Sequence, residues 1–167
     1  DDDLTAALQP FLLEGWEIPS AAGGSSRVHM EPGSLDMIVQ LCCGEPFLFQ
    51  LAGQQAWYAG AGAVITKAEV VAGWRAARSE AASHVERILA RLPHRERQFV
   101  EVMAELDPAD RTLTRIAAGM GFAKSSDAGV AAQRLDSIRG IIQRGRPYSF
   151  RRRAVEAYLT SDWPDVP

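Results

Sequence analysis

At 167 residues, with 47% hydrophobic and 23% charged content, the chain can bury a sizeable core and is too apolar for a disordered segment; it has room for one domain or two small ones. There is no run of 18 apolar residues, and the chain starts with Asp1-Asp2-Asp3, which argues against a membrane-spanning helix and a signal peptide and leads to the expectation of a cytoplasmic protein with no membrane partner. The net charge of −3 hides an asymmetry: residues 1–92 hold 6 Lys and Arg against 11 Asp and Glu, residues 93–153 hold 12 against 7, and residues 154–167 hold none against 3.

In chain order, Leu4, Ala7, Leu8, Phe11 and Leu12 step by three or four after an acidic start that suits a helix N-terminus, so a first helix is predicted over residues 3–13, stopped by Gly15. Pro19 to Ser26 lacks periodicity and has the composition of a flexible, mobile loop. Pro32 opens a second predicted helix, with Leu35, Ile38, Val39 and Cys42 on one side and Gly44 closing it. Pro46 starts a third, carrying Phe47, Leu48, Leu51, Ala52 and Tyr58 and ending at Gly60-Ala61-Gly62. Thr66 and Glu69 have capping-box spacing. After them Val70, Trp74, Ala77, Ala81, Val85, Ile88 and Leu92 mark one buried stripe of a helix about 25 residues, or roughly 37 Å, long. Pro93 restarts the chain, which puts a domain boundary near Leu92.

Phe99, Val102, Met103 and Leu106 give the next helix, broken by Asp107-Pro108. Thr112 suits the N-cap of a short helix carrying Leu113, Ile116, Ala117 and Met120 and ended by Gly121. Ser125 and Ser126 offer caps to a further helix. Its Ala131, Leu135, Ile138 and Ile142 fall within about 60° of one another at 100° per residue. The opposite face holds Ser126, Gly129, Ala132, Gln133 and Asp136; of these only Gln133 can pair bidentately with a base. From Ile141 the period changes, and Gly145 and Pro147 mark a hairpin. Arg144, Arg146, Arg151, Arg152 and Arg153 cluster there, with the last three expected to alternate between the faces of a strand. Such a cluster suits phosphate, because guanidinium pairs bidentately with phosphate oxygens; the competing reading is a solvated charged edge that blocks sheet pairing. Ala154 to Leu159 reads as a short closing helix and residues 161–167 as an irregular tail. The expected whole is mainly α with one small antiparallel β element.

Recognisable chemistry is sparse. Cys42 and Cys43 are adjacent in an apolar pattern, which is neither a zinc spacing nor a disulfide pair, and both are expected to be buried thiols. His29, His84 and His94 have no ligand at metal spacing. Gly60-Ala61-Gly62 with Thr66-Lys67 has the wrong order for a phosphate-binding P-loop, and no catalytic trio or carboxylate pair stands out, so neither a metal site nor a catalytic residue is assigned.

Two stretches carry a family resemblance. Residues 93–160 resemble a winged helix-turn-helix domain: Leu113-Thr114-Arg115-Ile116-Ala117 corresponds to its second helix, Ser126 to Arg139 to its third and Ile141 to Arg153 to its wing. Residues 1–92 resemble the helical lid of AAA+ ATPases of the origin-recognition type and their prokaryotic, including archaeal, relatives. The run Gly44-Glu45-Pro46-Phe47-Leu48-Phe49-Gln50-Leu51 through Ala56-Trp57 is similar to that family's Gly-x-Pro-x-x-x-Gln…Ala-Trp signature. Many such lids place an Arg near the start of a lid helix, and the Gly44 to Gln50 run has none.

The resemblance implies a lid-like helical bundle over residues 1–92, a winged helix over 93–160 and a tail over 161–167. Together they would form the C-terminal part of a larger ATPase whose core lies upstream; the absence of an initiator Met agrees with this. The chain alone would then be no enzyme and bind no cofactor, while the parent protein binds ATP and Mg near Gly44, Glu45 and Pro46 and could form homo-oligomers through its core. The expected partner of the winged helix is double-stranded DNA, contacted by Lys124, Ser125, Ser126, Gln133, Arg144, Arg146, Arg151, Arg152 and Arg153. Two alternatives stand beside this: a winged helix that serves protein–protein interaction and regulates the ATPase, favoured by acidic Asp127 and Asp136, and a stand-alone transcription regulator.

Overall fold

Helix periodicity dominates the chain, and in the computed structural model, which describes residues 2–19 and 23–166 with Phe11 by its backbone alone, most of the described chain is helical beside two small sheets. The contacts divide it into two units. The first runs through Ala81 and takes in the segment from Pro164; the second is Ala82–Trp163.

In the first unit, α1 (Asp2–Leu13) carries Asp2 and Asp3 in its first turn, where they face the positive end of the helix dipole. Gly15 ends the turn at φ 68°, and a Cβ there would lie 2.4 Å from the Val28 carbonyl oxygen, so the position needs glycine twice over. The chain then pairs as β1 (Trp16–Pro19) antiparallel to β2 (Ser25–Met30), and β2 pairs in parallel with β3 (Val64–Ile65) through His29↔Val64 and Met30↔Ile65. This sheet corrects the expectation of a loop from Pro19 to Ser26. Pro19, Ser25 and Ser26 are strand residues, while residues 20–22 lie outside the described set. Val28, Met30 and Ile65 turn inward and are buried.

Helix α2 (Ser34–Leu41) begins beyond Pro32-Gly33, with the Ser34 hydroxyl donating to the Glu31 carbonyl at 2.6 Å, and buries Leu35, Ile38, Val39 and Leu41. Cys43 (φ 47°) and Gly44 (φ 76°) reverse the chain into α3 (Pro46–Ala59). Cys42 is buried as expected but Cys43 is only half-buried, and the two thiols donate to the Val39 and Gln40 carbonyls at 3.2 and 3.5 Å. Leu48, Leu51, Ala52 and Ala56 form the buried side of α3, while Phe47 and Tyr58 are exposed at 37% and 67%.

The capping box forms as the spacing predicts: the Glu69 carboxylate accepts from the Thr66 N–H at 2.7 Å, and the Glu69 N–H donates to the Thr66 hydroxyl. These bonds hold the Glu69 carboxyl below its ordinary 4.5, the Thr66 N–H being the largest cause. Helix α4 (Lys67–Ala90) follows for 24 residues. Val70, Trp74, Ala77, Ala81 and Val85 are buried as expected; further on Leu89 is buried and Ile88 half-buried. Gly73 lets α4 meet α3 backbone to backbone, since a Cβ there would sit 2.4 Å from the Gln55 carbonyl. Trp74 is fully buried, its indole N–H donates to the Pro164 carbonyl at 2.8 Å, and Arg78 pairs with Asp165 at 2.7 Å. The terminal segment is irregular, as expected, and these two contacts hold it to α4.

The division inside α4 differs from a boundary near Leu92, because Pro93 breaks the helix without breaking its packing. The last turns of α4 belong to the second unit, where the Tyr158 hydroxyl donates to Glu86 at 2.8 Å. There α5 (His94–Glu105) buries Phe99, Val100 and Met103. A 3-10 turn (Pro108–Asp110) leads to α6 (Leu113–Gly119), whose Thr112 cap accepts from the Arg115 N–H. Gly121 at φ 80° and a Phe122 N–H to Ala117 bond make the turn into α7 (Ser126–Ser137). Strands β4 (Ile142–Gln143) and β5 (Ser149–Phe150) form a two-stranded antiparallel hairpin, and α8 (Arg153–Thr160) closes the chain.

Trp74→Ala is expected to cost about 3 to 5 kcal/mol in a denaturant melt, from the lost indole and the cavity left behind. Trp74→Phe, which keeps most of the volume but loses the bond to Pro164, should cost about 1 kcal/mol. A Trp74→Ala change under about 0.5 kcal/mol would contradict the buried assignment.

Candidate nucleic-acid interface

Of the residues singled out for phosphate contact, Ser125 and Arg146 line one cleft, while Arg144 and Arg151 are engaged in ion pairs. Arg146 sits in the hairpin turn and, with Gly145, faces Thr112, Leu113, Thr114, Ser125 and Tyr148 across a cleft of about 350 Å3. This groups the start of α6, the residue before α7 and the hairpin tip around one guanidinium and four hydroxyl side chains. Burial pushes the Tyr148 phenol above its ordinary 10.0, so it is a neutral hydroxyl at pH 7. Lys124 and Ser126 are exposed beside Ser125, and Gln133 is exposed farther along α7. Ser125 was expected to cap α7, but its side chain makes no capping bond.

Arg144 and Arg151 lie on either side of the hairpin and turn back onto α7. Arg144 Nε meets Asp136 Oδ2 at 3.1 Å and Arg151 Nη2 meets Asp136 Oδ1 at 2.9 Å. Strand β5 stops at Phe150, so the expected alternation of Arg151, Arg152 and Arg153 along a strand does not arise. Arg152 is the residue before α8 and Arg153 its first residue. The Arg151 and Arg152 N–H groups both donate to the Ile141 carbonyl, which explains the early end of the strand. Among the described residues Lys124 and Arg146 carry no ion pair.

Two further corrections concern α7. The helix ends at Ser137, so Ile138 is 66% exposed instead of buried, and Ile142 reaches the core from β4. Ala132, assigned to the outer face, is buried together with Ala128, Ala131 and Leu135. The outward surface of α7 therefore carries Ser126, Asp127, Val130, Gln133, Arg134 and Ser137.

Arg111, which the sequence reading passed over, anchors the hairpin. It is 4% exposed, pairs with Glu156 of α8, lies 5.1 Å from the centre of the Phe150 ring and accepts the Tyr148 N–H at its carbonyl (2.7 Å). Glu96 on α5 is likewise buried, and it accepts from Arg134 at 2.8 Å and Arg139 at 3.0 Å. Neither role leaves a pattern in sequence, because the partners lie 38 to 45 positions away. Gly44 and Pro46 are exposed and Glu45 half-buried, at the tight turn between α2 and α3. Among the described residues no group of three or more His, Cys, Asp or Glu could hold a metal ion, and no helix is long and apolar enough to cross a membrane.

Replacing both Arg134 and Arg139 with Ala should destabilise the protein by about 3 to 5 kcal/mol, because the buried Glu96 carboxylate loses both of its ion-pair partners. Glu96→Gln should cost less, since both guanidinium groups still reach water. Chemical melts showing the reverse order would refute this assignment.

Comparison with protein-family models, with curated proteins and with solved structures finds no match to this chain.

Proposed function

We infer that this chain is the lid and winged-helix region of a larger AAA+ ATP-binding protein, and that its second unit grips double-stranded DNA through the hairpin with weak sequence preference. The observation that carries the DNA reading is the cleft around Arg146. There an exposed guanidinium without an ion pair stands beside Thr112, Thr114 and Ser125, a donor set that suits a backbone phosphate. The order α5, α6, α7, hairpin supports a winged helix-turn-helix. On the first unit the reading rests on the Gly44 to Trp57 resemblance. Gly44, Glu45 and Pro46 would lie toward ATP and Mg held by an ATPase core, and that core would carry any homo-oligomeric contact.

Weak sequence preference follows from the outer face of α7, where Arg134 is drawn to Glu96 and Gln133 is left as the uncommitted side chain able to pair bidentately with a base. A second reading, a protein-interaction surface, is favoured by Val130 on α7 and Ile138 just past its end, exposed at 67% and 66%.

Lys124, Arg146 and the single net charge left on the Asp136 cluster amount to about three phosphates, so log K for duplex DNA should fall with log salt at a slope near −2.7. Arg146→Ala is expected to reduce the slope to roughly −1.8 on any sequence, and Gln133→Ala to leave it unchanged. Anisotropy titrations finding Arg146→Ala as tight as wild type would move the assignment to protein interaction.

Titrated with ATP in a calorimeter, the isolated chain should show no submillimolar affinity. Thr66 is committed to the cap of α4 and the Lys67 N–H donates to Glu31, so the loop after Gly62 offers no phosphate cradle. Submillimolar binding would sink that expectation.

A further inference from the structure

We propose that Asp136 is a built-in competitor of phosphate that sets how many hairpin arginines are available to a polyanion; this rests on the phosphate-binding reading of the hairpin. One carboxylate on α7, 19% exposed, spends each of its oxygens on a different arginine: Oδ2 on Arg144 Nε and Oδ1 on Arg151 Nη2. Arg144 follows β4 and Arg151 follows β5, so the carboxylate clamps both strands of the hairpin at once. A phosphate oxygen presents guanidinium with the same acceptor chemistry as a carboxylate oxygen. Either arginine therefore exchanges one anionic acceptor for another when it meets the backbone. The three charges sum to a single positive one, whereas the same cluster without the carboxylate charge would carry two. Arg146, at the tip between them, has no such clamp among the described residues, so it is the first to engage and the clamped pair is held in reserve.

The competition has a signature that a purely structural ion pair lacks. Asp136→Asn removes a negative charge and keeps the size of the side chain. It should steepen the log K against log salt slope by about one contact, or 0.9, which is about eightfold tighter duplex binding at 0.1 M salt relative to an equal affinity at 1 M. On a heparin column the same variant should elute at higher salt than wild type. If heparin elution and duplex slope both stay at the wild-type values, the proposal is overturned. If heparin elution shifts while neither protein binds duplex, the clamp stands and the DNA reading falls. A third measurement needs no variant to fold: in the wild-type protein the Arg144 Nε–H should exchange with solvent more slowly than that of Arg146, and added duplex should shift its resonance. Equal exchange at the two positions in the free protein would also overturn the proposal.

Discussion

The hairpin of the second unit depends on one buried cation. Two strands of two residues each cannot hold themselves together in water, because a hairpin that short forms too few bonds to offset the ordering of its turn. Arg111 supplies the rest. Its guanidinium lies against Phe150 of β5, pairs with Glu156 of α8 and donates to the Leu106 carbonyl, while its own carbonyl takes the Tyr148 N–H. A guanidinium that is 4% exposed is costly to desolvate, and only the full set of partners makes the arrangement favourable. The position of Arg146 at the hairpin tip is a consequence of that packing.

The same logic governs how much positive charge the unit can offer. A count over residues 93–153 finds 12 basic residues and suggests a strongly cationic face. The ion pairs say otherwise. Arg97 is taken by Glu101, Arg111 by Glu156, Arg115 by Asp110, Arg134 and Arg139 by Glu96, and Arg144 and Arg151 by Asp136. Exposed pairs such as Arg97–Glu101 contribute little to stability, but they still cancel charge at the distance of a Debye length. The Glu96 and Asp136 pairs do more, since each carboxylate ties two arginines from different stretches of chain. A count of basic residues thus overstates the surface field by one charge for each carboxylate that holds an arginine, and each carboxylate that holds two leaves one positive charge uncancelled.

What was legible in the sequence is local. The Thr66–Glu69 box, Pro46 at the start of α3, Gly121 after α6 and the stripe through Val70, Trp74 and Ala81 all act within a few residues, and each element formed where its signals stood. The three-stranded sheet was hidden because its third strand is two residues long and pairs with partners 35 positions earlier, and because Pro19 and Ser25-Ser26 have turn composition. On α7 the helical stripe was extended through Ile142, although Gly140 at φ 62° ends the run and hands the core position to Ile141 and Ile142 as the chain enters β4. Periodicity alone could not separate these cases, since Ile138 and Ile142 fit both a longer helix and a helix followed by a strand. The Arg146, Ser125 and Thr112 grouping was half visible: the basic hairpin was recognisable by composition, but the hydroxyls across the cleft come from two other elements.

The correction on α7 bears directly on recognition. With Ala132 inward and Ile138 outward, the exposed surface of that helix offers Val130, Gln133, Arg134 and Ser137, and several of these are already engaged. Ser137 donates to the Gln133 carbonyl, and Arg134 is drawn toward Glu96 at the base of the helix. Val130 could meet only a thymine methyl, which distinguishes few bases, so discrimination would fall to Gln133 alone at about 1 to 3 kcal/mol. A handful of phosphate contacts with one base reader gives an affinity governed by ionic strength far more than by sequence. Under the DNA reading, the second unit is therefore suited to holding a duplex with little regard to its sequence.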